Sequence, residues 1–109
     1  WSPYNHNIYF REHVCSAHKK TKQLLKILDQ YNENRNRKLV YITVAGMSNA
    51  LSGVVACNTH HPVIACPPHV DKVDMMTNIN STLQMPSKVP VATILNAGNV
   101  AMFCKKILA

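Results

Sequence analysis

Four residues, Ser16-Ala17-His18-Lys19, combine an imidazole, a hydroxyl and an ammonium within one short stretch. Histidine exchanges protons near neutral pH. A serine hydroxyl and neighbouring backbone N–H groups hold phosphate oxygens, and lysine adds a point charge for an anion. An isolated histidine is more often structural than catalytic, so its surroundings must decide. A second stretch, Ala45-Gly46-Met47-Ser48-Asn49-Ala50-Leu51-Ser52-Gly53, follows an apolar run and suits backbone N–H groups turned into a pocket at a helix start. Ser48 or Asn49 can equally do no more than cap that helix. No phosphate-loop lysine signature accompanies them. A third stretch, Cys57-Asn58-Thr59-His60-His61 with Cys66, supplies soft zinc ligands at a spacing that matches none of the common finger signatures. No G-x-S-x-G elbow is present. The pair Cys15 and His18 is too close in sequence to establish contact, and five acidic residues leave few candidates for paired-carboxylate chemistry.

The elements that must place these residues alternate in kind. Ile8–Val14 has the composition of a strand. Thr21–Tyr31 carries Leu24, Leu25, Ile27, Leu28 and Tyr31 at helical spacing. Leu39–Val44 is nearly all apolar, as in a strand buried on both faces. Ser48–Ala56 follows as a helix and Pro62–Ala65 as a short buried strand. Asp71–Asn80 fits either a helix or an irregular segment. Val89–Leu95 is a further buried strand, and Asn96–Leu108 a helix. Apolar strands alternating with amphipathic helices predict a parallel sheet with helices on both sides. Ligands in such sheets sit beyond the carboxyl ends of the strands. The segments at 15–19, 45–49, 66–68 and 96–98 all fall there.

Composition narrows the partners. The chain has 109 residues, enough for one small domain. It carries 12 Lys and Arg against 5 Asp and Glu, a formal charge of +7 that favours anionic partners. The basic run Arg35-Asn36-Arg37-Lys38 reads as a solvated loop. The aromatic residues lack the spacing of an RNA-binding sheet, so nucleic acid is supported by bulk charge alone. No apolar run approaches the roughly 20 residues of a membrane span, and the opening residues lack the pattern of a secretory signal. The four cysteines show no regular spacing. Cys15 and Cys104 read as core thiols, and a reducing, cytoplasmic setting is expected.

Four blocks then occur in order: SAHK at 16–19, AGMSNALSG at 45–53, PVIACPP at 62–68 and LQMPSKVPVATIL at 83–95. Together they resemble the phosphoribosylaminoimidazole (AIR) carboxylase family, over nearly the whole chain from about Ile8. The resemblance implies a flavodoxin-like, three-layer α/β fold that assembles as a homo-oligomer and uses no metal or organic cofactor. The family has two branches. One carboxylates aminoimidazole ribonucleotide directly with CO2, and the other isomerises N5-carboxyaminoimidazole ribonucleotide to the same product. Lysine after the histidine, AGxSN and ACPP resemble the direct branch. QMP and PVAT are shared with the mutase branch.

On that resemblance His18 matches the catalytic histidine. Ser16 and Lys19 are expected to hold the ribonucleotide. Ala45, Gly46, Ser48 and Asn49 are expected to line the CO2 or carboxylate pocket. Two departures stand out. Met47 occupies a position where the direct branch carries arginine, which implies weaker handling of carboxylate or CO2. The family's opening strand and Gly-Ser-x-Ser-Asp phosphate loop have no counterpart in the sequence. Residues 1–109 are accordingly read as an AIR carboxylase domain that is incomplete at its N-terminus. A non-catalytic ribonucleotide-binding or assembly module of the same fold is the competing expectation.

Overall fold

The computed structural model describes residues 8–45, 50–68 and 72–109. In chain order the elements are α1 (Thr21–Asn32), β1 (Tyr41–Thr43), α2 (Ala50–Cys57), β2 (Val63–Ala65), α3 (Lys72–Leu83), β3 (Ala92–Thr93) and α4 (Ala97–Leu108). The strands form one parallel sheet in the order β1-β2-β3. Tyr41 lies opposite Val63 and Thr43 opposite Ala65, while Ile64 lies opposite Ala92.

Consecutive residues of β2 show how the layers form, because side chains along a strand point alternately to its two faces. Val63 packs with Leu24 and Leu28 of α1 and Val55 of α2. Its neighbour Ile64 packs with Val100 and Cys104 of α4 on the opposite face. Helices therefore cover both sides of the sheet, as the alternating pattern predicted. All three residues of β2 are buried, which accounts for its unbroken apolar sequence. In α1 the spacing of Leu24 and Leu28 places both on one stripe. The start of α4 is capped by Asn96, whose side-chain oxygen accepts a hydrogen bond from the Asn99 N–H at 3.0 Å. Lys105 and Lys106 lie in its last turn, where positive charge suits the helix dipole.

Three expectations need correction. Ile8–Val14 forms no strand. A strand exists only where a neighbour completes its hydrogen-bond ladder, and none of the described residues does so for this segment. The run Leu39–Val44 pairs only over Tyr41–Thr43 and is not buried on both faces, since Ile42 is 38% and Val44 60% exposed. Among the described residues β1 pairs with β2 alone and so lies at a margin of the sheet. Val89–Leu95 likewise shortens to Ala92–Thr93, and its exposed Ala92 marks the opposite margin. The segment read as helix or irregular at 71–80 is the helix α3.

A buried pair of hydroxyls ties β1 to α2. Thr43 and Ser52 are 4% and 0% exposed, with their oxygens 2.6 Å apart. Thr43→Val keeps the shape of the side chain but takes this partner from Ser52. Removing one member of a buried hydrogen-bonded pair costs about 1–3 kcal/mol. The single variant is expected to lose that much stability in urea denaturation, and adding Ser52→Ala should cost less than the two single losses summed. Simple additivity of the losses would show that the hydroxyls are not coupled.

Candidate active site

The chain turns sharply between Cys15 and α1, and its own backbone and side chains hold the turn. The Lys20 N–H donates to the Ser16 carbonyl at 3.0 Å. The Lys19 N–H donates to the Ser16 hydroxyl oxygen at 3.1 Å. The Thr21 hydroxyl donates to the Ala17 carbonyl, and the Cys15 thiol to the Lys20 carbonyl at 3.6 Å. The first turn of α1 thus has its entry ordered without a side-chain cap from Lys20. Because the Ser16 oxygen only accepts in this arrangement, its O–H remains able to donate to a ligand. His18 stands exposed on this turn.

Ser16, Ala17 and His18 line one wall of a cleft of about 1130 Å³. Val44 and Ala45, at the carboxyl end of β1, and Ala50 and Leu51, at the start of α2, line it as well. The turn at 16–18 and the end of β1 therefore face a common space, although 27 positions separate His18 from Ala45 in the sequence. Lys19 does not line the cleft and is exposed beside it. Gly46, Ser48 and Asn49, together with Met47, lie outside the described residues.

The same cleft collects basic side chains from two separate segments, the run expected to be a solvated loop and the one expected to be a strand. Arg37 and Lys38 line it, as do Arg11 and His13. His13 is paired with Tyr31 of α1. The ring nitrogen Nε2 lies 2.7 Å from the hydroxyl, and the rings meet edge-on with centroids 5.5 Å apart. The only advance signal for these groups was the positive charge. Nothing in their spacing says which surface they share.

The Cys57, His60, His61 and Cys66 group divides between the two ends of β2. His61 precedes the strand and Cys66 follows it, so about 10 Å of extended chain lies between them. Among the described residues, no three His, Cys, Asp or Glu side chains converge on a metal-sized site. Cys66 instead points its thiol at the Leu95 carbonyl, 3.7 Å away. All four cysteines are free; Cys104 is buried and Cys15 half-buried.

At the amino end of the strands Asn32 acts as a hub. Its side-chain oxygen accepts from the Tyr41 and Thr59 hydroxyls, both at 2.9 Å, and its amide donates to the Asn58 carbonyl at 2.8 Å. Burial raises the Tyr41 pKa. His61 sits beside this network, its ring 4.1 Å from that of His60, and its Nε2 is shielded from solvent without a partner. Loss of hydration and the neighbouring His60 hold its pKa below the ordinary 6.5. The folded chain thus binds fewer protons at this group than the unfolded chain. Its contribution to stability is complete above about pH 6.5 and is lost as pH falls through the lowered value. Chemical denaturation at pH 7.5 and at pH 5 should show a smaller acid loss for His61→Asn than for the parent. Identical losses would remove His61 as a cause.

A parallel sheet with helices on both faces and polar groups gathered at its carboxyl end defines an α/β protein of flavodoxin-like type. A family model described as AIR carboxylase matches residues 4–109. The phosphoribosylaminoimidazole carboxylase of Archaeoglobus fulgidus is 44% identical over 96 residues, covering 88% of this chain and 51% of that protein. An N5-carboxyaminoimidazole ribonucleotide mutase of Methanocaldococcus jannaschii is 39% identical over 106 residues, 94% of this chain and 62% of that one. The crystal structure of Treponema denticola PurE superposes with a TM-score of 0.78 at 39% identity, over 84% of this chain and 57% of that one. The chain belongs to the AIR carboxylase family. It spans about half the length of the Archaeoglobus relative.

Proposed function

We propose that this chain carboxylates aminoimidazole ribonucleotide with CO2 in purine biosynthesis, using His18 to move the proton. The observation that carries the proposal is the shared cleft: His18 on one wall and Ala45, at the mouth of β1, on another. The aminoimidazole ring is an electron-rich enamine. Its carbon 4 attacks CO2, and the new C–C bond leaves a tetrahedral carbon that holds both hydrogen and carboxylate. His18 accepts that hydrogen as a proton, and the C–H electron pair returns to the ring. The proton then passes to water. A positioned base of this kind contributes about 10²–10⁴ in rate.

The surrounding groups serve binding. The Ser16 O–H is left to donate to a phosphate oxygen, and Lys19 supplies charge at the rim. Arg37 and Lys38 raise the local concentration of an anionic substrate. Ala45, Gly46, Ser48 and Asn49 are assigned to the carboxylate end. Assembly as a homo-oligomer and a cytoplasmic location belong to the same proposal.

A second reading rests on the Methanocaldococcus relative, whose name is that of a mutase. In that case the carboxylate arrives on the substrate's exocyclic nitrogen and moves to carbon 4, with His18 in the same role. Incubating the chain with AIR and bicarbonate, and separately with the N5-carboxylated ribonucleotide, distinguishes the two. Product from AIR and bicarbonate without ATP supports the carboxylase. Product from the carbamate alone transfers the assignment to the mutase. Ribonucleotide binding with no product in either arm identifies a non-catalytic module.

A further inference from the structure

The two ends of a parallel sheet differ, and the end away from His18 has a chemistry of its own. The loops that enter β1, β2 and β3 (residues 33–40, 58–62 and 84–91) lie side by side there, because the strands are parallel and ordered β1-β2-β3. The first loop is tied to the second. The Tyr41 N–H donates to the Pro62 carbonyl at 3.0 Å, and Asn32, just ahead of the first loop, bonds Thr59 and Asn58. Val91 packs on the cluster that holds Val63, which sets the third loop beside the second. Strand spacing puts about 10 Å between the outer two. Helix α4 begins just past the carboxyl end of β3 and runs back along the sheet, so its last turn brings Lys106 to the same end.

These elements carry one sign of charge. Arg35, Arg37 and Lys38 stand on the first loop, Lys88 on the third and Lys106 at the helix end, and all five are exposed. Glu33 is the single acid in the three loops. Lys88 adds an independent sign. The Val89 N–H donates to the Pro86 carbonyl at 3.2 Å, closing a turn in which Lys88 takes a φ of 69°. Glycine or asparagine ordinarily fills such a position, because a longer side chain is strained there. Among the described residues Lys88 is the one non-glycine with positive φ. Strain of this kind concentrates where a side chain serves binding rather than the fold.

Charge without apolar anchors selects the partner. None of the large apolar side chains exposed among the described residues belongs to these three loops. A protein partner draws most of its binding energy from buried aromatic and apolar anchors, and a membrane-surface helix likewise buries an apolar face. A nucleic-acid strand needs neither. Each of its residues carries a phosphate, and cations alone supply its non-specific binding. Arg35 and Arg37 add planar forks that match phosphate oxygens.

We infer that the amino end of the sheet is a nucleic-acid surface that holds the phosphate backbone and reads no bases. The strand crosses the three loops and sets its phosphates on Arg35, Arg37, Lys38, Lys88 and Lys106. This surface lies at the opposite end of the strands from the turn that carries His18. It does not rest on the carboxylase reading, because binding is measured without substrate.

The probe is fluorescent single-stranded oligothymidylate, titrated with the whole chain by anisotropy over a series of salt concentrations. Each phosphate contact contributes about −0.7 to the slope of log affinity against log salt, so five contacts give a slope of about −3. The triple change Arg35→Gln, Lys88→Gln and Lys106→Gln should flatten that slope by about 2 and weaken low-salt binding at least about tenfold. Lys20→Gln with Lys22→Gln, at the other end of α1, should change affinity by no more than about threefold, since salt screens distant charges. Lys88→Gly separates binding from folding. It relieves the strained φ, so the urea midpoint should hold or rise while affinity falls. The inference fails if oligothymidylate does not bind, or if the triple variant keeps the parent slope. It also fails if the Lys20 and Lys22 pair costs as much as the triple change, or if Lys88→Gly binds as tightly as the parent. Oligoadenylate differing by tenfold or more would show base readout and overturn it, and polyglutamate binding as tightly as the oligonucleotide would give the surface to an acidic protein instead.

Discussion

Asparagine at position 18 is expected to cut AIR-dependent product formation by about 10²–10⁴ while leaving the fold unchanged. Asparagine fills similar space and still forms hydrogen bonds, but it cannot take up a proton near neutral pH. His18 is exposed on a turn whose hydrogen bonds come from Ser16, Ala17, Lys19, Lys20 and Thr21, so none of them depends on the imidazole. Stability should therefore change by no more than about 0.5 kcal/mol. The measurement pairs a single-turnover assay with a denaturation curve on the same preparation. Full activity in the variant would eliminate His18 as the proton acceptor. A loss accompanied by unfolding would instead assign His18 a structural role.

The largest stability effect is expected from Ile64→Ala. Ile64 is 1% exposed in the middle strand and meets Val100 and Cys104 of α4. Truncating a buried isoleucine to alanine costs about 2–5 kcal/mol, partly in transfer free energy and partly in the cavity left behind. Domains of this size are stable by about 5–15 kcal/mol, so the change removes a large share of the total. The variant's urea midpoint should fall accordingly, and Ile64→Val should lower it by an amount equivalent to about 0.5–1.5 kcal/mol. A cost below about 1 kcal/mol for alanine would mean that α4 does not pack on the sheet as described.

The central strand was legible because its environment is uniform. Val63, Ile64 and Ala65 are buried on both faces, and an unbroken apolar run is the direct signature of that state. The helices α1 and α4 were legible through periodicity, whereas the capping role of Asn96 came to light only in the structure. The margins of the sheet were not legible. Val89–Leu95 and Ile8–Val14 have the composition of strands, yet among the described residues the first pairs over two residues and the second over none. Side chains record preference for extended backbone, but a ladder needs a neighbour, and neighbours come from elsewhere in the chain.

The candidate site divides in the same way. Ser16, His18 and Lys19 could be singled out one by one from their chemistry and from their place ahead of a helix. That His18 shares a cleft with Ala45, that Lys19 stands beside it, and that Arg11, Arg37 and Lys38 line it could not. The zinc pattern shows the converse, since Cys57 to Cys66 looks compact in sequence until β2 separates its ligands. By itself the sequence determined the alternation of elements, the buried middle strand, the family and the residue types available for chemistry. Only the tertiary structure decided which strands find partners and which side chains face one space. The physical reason is range: periodicity and capping act over a few residues, whereas pairing and cleft formation depend on contacts between segments far apart in the chain.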